Sequence, residues 1–409
     1  MTNLHSCTQP ETGGCAAPLR YLGCNIWKYG DNLNDEEMRI AILGTRGIPA
    51  RYGGFETLAE QLSARLAARG HEVTVYCRRP FTRPDDVIPA GVHRVILPTI
   101  SRKHLDTAFH TFLSLVHVSF TCADVVLICN VANGPIAWIP RLFGKPTVLN
   151  VDGLDRKRKK WNLLARSCLY ISELFSAFTP TRVVTDSQIM QDYYWHHYRR
   201  RSTMIAYGAE EPANGASANG ASPNLPDLPT KRFILYVSRL EPENHPELLL
   251  EAYRQVHTDW PLVIVGGNAY KPAYVERLKC LGDRRVLFLG PVYGPGYWQL
   301  LGNAGLYVFG CEVGGVHLAL IEAMAAGKPV LYLDTPENRE TAGEGGVPFR
   351  AETDHLAAEI WRLLSEPDLR RELGRKARER AARLFGWKET TQKYESLFSQ
   401  MAHKRGDTG

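Results

Sequence analysis

The sequence predicts an α/β protein built from two doubly wound halves, on three observations. Short apolar runs of strand length alternate with amphipathic stretches of helix length from Met38 onward. That series breaks at 209–230, a segment rich in Ala, Asn, Gly, Ser and Pro that reads as a linker, and then resumes. The strands are continuous Val/Ile/Leu runs rather than alternating ones, as parallel strands buried on both faces are.

Residues 1–37 mix Gly, Pro, Thr, Asn and acids without periodicity and are expected to form a disordered extension. The fold then opens with the strand Met38-Arg39-Ile40-Ala41-Ile42-Leu43. A loop, Gly44–Gly54, leads into a helix with Phe55, Leu58, Ala59, Leu62 and Leu66 on one face, which Gly70 ends. Glu72–Cys77 reads as the second strand, completing a βαβ unit. Further strands are expected near 92–97, 124–129, 146–151, 181–185 and 202–206, with helices near 105–121, 161–178 and 187–197. After the linker, strands are expected at 233–237, 261–265, 286–289, 305–309 and 329–333. Helices interleave near 245–257, 271–281, 296–303, 317–326, 354–365 and 368–384. Ligands of open α/β sheets sit outside the carboxyl ends of the strands, so the chemistry belongs in the cleft between the halves.

Composition narrows the function. The 409 residues are 44% hydrophobic and 22% charged, which excludes a wholly disordered or collagen-like chain. No apolar run reaches the roughly 18 residues of a membrane span. The formal charge of +6 is uneven: residues 38–208 alone hold 23 basic and 12 acidic side chains, a net of +11. Such a field favours an anionic partner, whether nucleic acid, a membrane surface or an acidic substrate. Nine cysteines without a Cys-x-x-Cys argue against a disulfide framework and a structural zinc. Cys122 and Cys129 flank an apolar run and read as small core residues. No secretory h-region stands in 1–37, and a reducing cytoplasm is the expected compartment.

Three segments carry candidate chemistry. The loop Gly44-Thr45-Arg46-Gly47-Ile48-Pro49-Ala50-Arg51-Tyr52-Gly53-Gly54 enters a helix, where glycines let backbone N–H groups approach a phosphate; a plain turn is the alternative. It is neither Gly-x-Gly-x-x-Gly nor a P-loop. The tract Arg156-Lys157-Arg158-Lys159-Lys160 precedes Trp161, Leu164, Cys168, Ile171, Phe175 and Phe178 at helical spacing. It is either a site for anionic lipid or a solvated run beside a core-facing helix. The segment from Cys311 to Val330 passes the Gly314-Gly315 turn and a helix bearing Glu322, whose carboxylate suits a ribose diol; a solvent-facing glutamate is the alternative.

Taken together, these pieces resemble the family 4 glycosyltransferases of the GT-B fold, two Rossmann-like domains facing a cleft. Glu322-Ala323-Met324-Ala325-Ala326-Gly327-Lys328-Pro329-Val330 is similar to their C-terminal motif. Gly44–Pro49, Tyr52–Thr57, Val151–Asp155, Lys160-Trp161, Ile205–Ala209 and Arg239–Asn244 resemble the bacterial rhamnosyltransferase-like subgroup that builds surface polysaccharides. The resemblance implies that 38–208 binds acceptor, that 231–386 binds a dTDP- or UDP-linked sugar, and that 387–409 holds a helix packing back on the first domain. It implies sugar transfer to a lipid-linked saccharide, with retention, no cofactor and no essential metal, and no nucleic-acid partner. An anionic membrane surface would explain the charge of the acceptor half. By the same resemblance Gly53 and Gly54 approach the donor diphosphate, Arg239 neutralises the leaving phosphate, Glu322 holds the ribose, and Asn244, Gly314 and Gly315 line the donor site.

The chain departs from the pattern at several places. Val316-His317-Leu318-Ala319 replaces the subgroup's Thr-Asn-Pro-Ser, so His317 either contacts the donor or caps the helix. Asp152 stands where many relatives place a catalytic His, as base or sugar ligand, and Arg156 where the subgroup has Trp. An epimerase on the same fold and a non-catalytic sugar-nucleotide-binding protein are the competing expectations.

Overall fold

The computed structural model describes residues 37–100, 106–158, 161–209, 226, 228–268 and 271–403. All but Glu37 of the expected extension, most of the expected linker, and Lys159 and Lys160 lie outside the described residues.

The first half runs β1 (Arg39–Leu43), α1 (Gly54–Ala68), β2 (Glu72–Arg78), β3 (Val92–Leu97), α2 (Asp106–Ser119), β4 (Val125–Cys129), β5 (Thr147–Val151), α3 (Leu163–Phe178), β6 (Arg182–Thr185), α4 (Gln188–Tyr198) and β7 (Thr203–Met204). Its seven strands are all parallel, in the order β3-β2-β1-β4-β5-β6-β7. Every residue of β4 and β5 is buried, as a parallel strand covered by helices on both faces must be.

The second half runs β8 (Ile234–Val237), α5 (Pro246–Gln255), β9 (Leu262–Val265), α6 (Pro272–Leu281), β10 (Val286–Gly290), α7 (Pro295–Asn303), β11 (Leu306–Phe309), α8 (Leu318–Ala325), β12 (Val330–Leu333), α9 (Pro336–Ala342), β13 (Gly346–Phe349), α10 (Thr353–Ser365) and α11 (Pro367–Leu384). Its six strands are again parallel, in the order β10-β9-β8-β11-β12-β13. Strand order reverses between β1 and β4 in one sheet and between β8 and β11 in the other, which makes the carboxyl ends of these four strands the natural ligand sites.

The structure departs from the sequence reading at three places. Helix α9 and strand β13 did not figure in the sequence reading, because the run after Glu344 is interrupted by glycines and Pro348. A proline is tolerated there since β13 is an edge strand. Cys129 is buried, but Cys122 is only half-buried, in the turn before β4. The apolar stripe of α3 does not face the core: Leu164, Ile171, Phe175 and Phe178 are exposed.

Helix α12 (Trp387–His403) returns to the first sheet. The buried Asn150 amide on β5 donates to the Tyr394 hydroxyl, and Thr390 Oγ1 donates to the Ala206 carbonyl at 3.0 Å. Trp387 lies against Gly208, where a Cβ would fall 2.4 Å from its indole. Glu395 meets His71 Nε2 at 2.9 Å and pairs with Arg69. Tyr394→Phe strands the buried Asn150 amide and is expected to cost about 1–3 kcal/mol, read as a lower midpoint in chemical denaturation; an unchanged midpoint would contradict the anchoring role.

Candidate active site

The loop after β1 is shaped by what surrounds it. Gly44 has φ +92, and a Cβ on it would fall 2.4 Å from the Cys129 carbonyl of β4, so only glycine lets the chain leave β1 at this angle. Glu56, in the first turn of α1, accepts the Arg46 N–H at 2.8 Å and folds the loop back on the helix. The Arg46 guanidinium then sits 3.3 Å from the centre of the Tyr52 ring. Gly53 precedes α1 and Gly54 begins it; a Cβ on Gly54 would lie 3.3 Å from Leu318 Cδ1. The amino end of α1 therefore faces the second half of the molecule, as an anion site between the halves requires.

The ends of β5 and β6 touch the turn before α8 directly. The Asp152 carbonyl accepts the Gly315 N–H at 2.6 Å, and a Cβ on Gly153 would be 2.8 Å from Gly314 Cα. Asp186, fully buried after β6, accepts the Val316 N–H on Oδ2 at 2.8 Å. A Cβ on Gly315 would fall 2.1 Å from Asp186 Oδ1. Two glycines thus let the halves meet backbone to backbone. Nearby, Glu340 of α9 accepts the first two amides of α4, from Gln188 at 2.6 Å and Ile189 at 3.1 Å. Sequence reasoning missed Asp186; its only signal was its place between a strand and Ser187, the residue before α4 whose side chain accepts the Met190 N–H.

On the other wall, Arg239 follows β8. Its guanidinium makes no ion pair among the described residues and lies 5.9 Å from the Tyr52 ring centre, which aims it across the cleft at the β1–α1 loop. Asn244 was expected to bind donor, but both ends of its amide are engaged: Nδ2 donates to the Arg239 carbonyl at 2.6 Å and Oδ1 accepts from Cys311 Sγ at 2.9 Å. It holds the Arg239 turn.

His317 stands at the N-cap of α8, but its side chain makes no capping hydrogen bond; its ring packs on Phe309 with centroids 5.0 Å apart. Burial, with Arg158 and Arg239 adding to it, lowers its pKa to about 3, so the imidazole is neutral at physiological pH. Asp152 moves the other way, to about 7, through burial and the neighbouring Asp155, against the pull of Arg158 and Arg239. Glu322, in the second turn of α8, accepts the Tyr297 hydroxyl at 2.7 Å, and burial raises it to about 7. Burial also pushes Asp186 well above the usual carboxylate range, with Asp152 reinforcing it.

The cationic tract is not one surface. Arg156 turns inward, with Nε 2.9 Å from Glu173 and Nη2 2.9 Å from the Tyr193 hydroxyl. Arg158 pairs with Asp155 at 2.7 Å and faces Asp152 and His317, a cleft residue that the sequence reading left in the run. Among the described residues of the tract only Lys157 is exposed. The structure thus brings Asp152, Arg158, Arg239, His317, Gly314 and Gly315 together and leaves Asn244 and Arg156 as scaffold. Among the described residues no cluster of three or more His, Cys, Asp or Glu side chains is placed to hold a metal ion.

Both halves of the chain are similar to known proteins. The family described as Glycosyltransferase Family 4 matches residues 52–209, and that described as Glycosyl transferases group 1 matches 222–380. Spore coat protein SA of Bacillus subtilis is 24% identical over 400 residues, 89% of this chain and 100% of that one. D-rhamnosyltransferase WbpZ of Pseudomonas aeruginosa is 25% identical over 351 residues, 81% and 88% of the two chains. Among solved structures, sucrose-phosphate synthase from Thermosynechococcus elongatus superposes with a TM-score of 0.74 at 24% identity, covering 89% of this chain and 99% of that one. With one matched family on each sheet, the chain belongs to the family 4 glycosyltransferases of the GT-B fold.

Proposed function

We propose that this glycosyltransferase moves a hexose, rhamnose being the first candidate, from a dTDP- or UDP-linked donor to a lipid-linked surface-polysaccharide acceptor. Residues 231–386 hold the donor and 38–208 the acceptor, on the cytoplasmic side of a membrane. The observation that carries the reading is Arg239: a guanidinium without an ion-pair partner among the described residues, facing the amino end of α1 at Gly53 and Gly54. Between these two positive features a diphosphate would be held from both sides, and its growing charge on departure is what preorganised donors stabilise most. The D-rhamnosyltransferase relative supports the choice of sugar.

The remaining roles follow from the same geometry. Glu322 takes the ribose hydroxyls, with Tyr297 fixing its carboxyl. His317, neutral, offers a ring nitrogen to the sugar or phosphate without adding charge beside two arginines. Asp152 accepts the hydroxyl that the sugar or the acceptor presents. Transfer proceeds with retention and without an essential metal.

Arg239→Ala is expected to lower transfer at least about 100-fold, and Glu322→Ala to raise the donor KM, with a glycosylated acceptor as product from the wild type. Turnover at the wild-type rate by both variants, or an epimerised sugar as the only product, would overturn the assignment. The raised carboxyls make a second prediction. Asp152 titrates near 7 in the fold against about 4 in the unfolded chain, so the folded state binds the extra proton between those values. The contribution of this group to stability is full below about pH 4 and is lost as pH rises through 7. Asp152→Asn should therefore flatten the fall of unfolding free energy across that window; the wild-type slope in the variant would contradict it.

A further inference from the structure

Helix α3 is turned with its polar face inward. Its buried residues are Glu173, Ser176 and Ala177. The Glu173 carboxylate receives the Arg156 guanidinium at 2.9 Å, the Tyr198 hydroxyl at 2.7 Å and the Tyr193 hydroxyl, while Ser176 Oγ pairs with the Tyr194 hydroxyl at 2.6 Å. On the adjoining 3-10 segment, a Cβ on Gly134 would fall 2.4 Å from the Ser172 carbonyl, so the backbones are in contact there. These ties fix the rotation of the helix, since a turn about its axis would bury apolar groups only by stranding a charged network.

The apolar face is consequently held in solvent. Leu163 is 82% exposed, Leu164 74% and Phe178 56%, with Ile171 and Phe175 between them. The 3-10 turn Ile139–Phe143, tied to the carboxyl end of α3 through Arg141, adds Leu142, 73% exposed, and Phe143, which packs edge-on against Phe120 with centroids 5.0 Å apart. A helix that leaves its whole apolar face in solvent marks a binding face rather than scattered surface residues. Its charge selects the partner. Lys157 and Arg166 stand exposed at the amino end of α3, and Arg141 and Arg182 at the carboxyl end, Arg141 donating to the Thr179 carbonyl at 2.6 Å. From 131 to 182 the only acids are Asp152 and Asp155, which face Arg158, and the buried Glu173.

We propose that this face docks the first half on an anionic lipid bilayer, the side chains of α3 and the 139–143 turn entering the boundary between headgroups and acyl chains while the flanking cations meet lipid phosphates. The inference rests on α3 and not on the transfer reaction, although a lipid-linked acceptor would be presented at such a surface. It relocates the membrane contact from the 156–160 tract, two of whose arginines point inward.

Co-sedimentation of the full chain with vesicles of phosphatidylglycerol and phosphatidylethanolamine tests it, with phosphatidylcholine vesicles as the neutral control. The wild type should bind the anionic vesicles at least about tenfold more strongly than the neutral ones. Leu164→Glu with Phe175→Glu, and separately Arg141→Gln with Arg166→Gln, should each reduce that binding at least about tenfold with the melting temperature and donor hydrolysis unchanged. Wild-type protein that stays in the supernatant, or variants that bind as it does, would overturn the proposal. So would sedimentation velocity showing a dimer that the glutamate pair dissociates without any vesicle binding, which would make the face an interface between copies. Vesicle binding without sugar transfer would leave the docking face standing and count against the proposed reaction alone.

Discussion

The structure depends on one contact, the Gly314-Gly315 turn pressed against the ends of β5 and β6. Neither residue tolerates a side chain there: a Cβ on Gly315 would enter the Asp186 carboxyl, and one on Gly314 would fall 2.3 Å from His317 Cε1. Burying Asp186 is costly, and it is offset by the Val316 N–H and the Ser187 hydroxyl that its carboxyl engages. Burial first, and the nearby Asp152 carboxylate second, hold Asp186 well above the usual carboxylate range. The same contact sets the distance between Arg239 on one wall and the amino end of α1 on the other.

Around that contact the positive charge of the first half divides into two uses. Arg158 turns into the cleft, where with Arg239 it adds to the burial that keeps His317 neutral and limits the rise of the Asp152 pKa. The exposed cations gather instead at the ends of α3. A formal count of charges along the chain does not separate these populations, because Arg156, Lys157 and Arg158 are consecutive in sequence and point three different ways.

Much of this was legible in the sequence. Parallel strands are apolar along their whole length, so their positions and the loops at their carboxyl ends could be read directly, and with them the Gly44–Gly54 loop, the Gly314-Gly315 turn and Glu322, whereas Arg239 and the donor-site roles entered only through the family resemblance. The direction a stripe faces could not. Periodicity assigns Leu164, Ile171, Phe175 and Phe178 to one side of α3, but the side chosen for the interior is decided by Glu173 meeting Tyr193 and Tyr198, some twenty residues away on α4. Asp186 resembles any acid at the start of a helix until the second half is brought against it. Asn244 looks like a ligand residue in a motif, and only the Cys311 and Arg239 contacts show both ends of its amide engaged.

The central claim is that the closed contact is the working geometry. Gly315→Ala tests it most directly, because the atoms nearest the added methyl are all those of the Asp186 carboxyl, in the other half. Sugar transfer should fall at least about 100-fold, the scale of displaced catalytic groups, with circular dichroism and melting temperature close to wild type and partial recovery on adding Asp186→Gly. Transfer at the wild-type rate by Gly315→Ala would contradict the account.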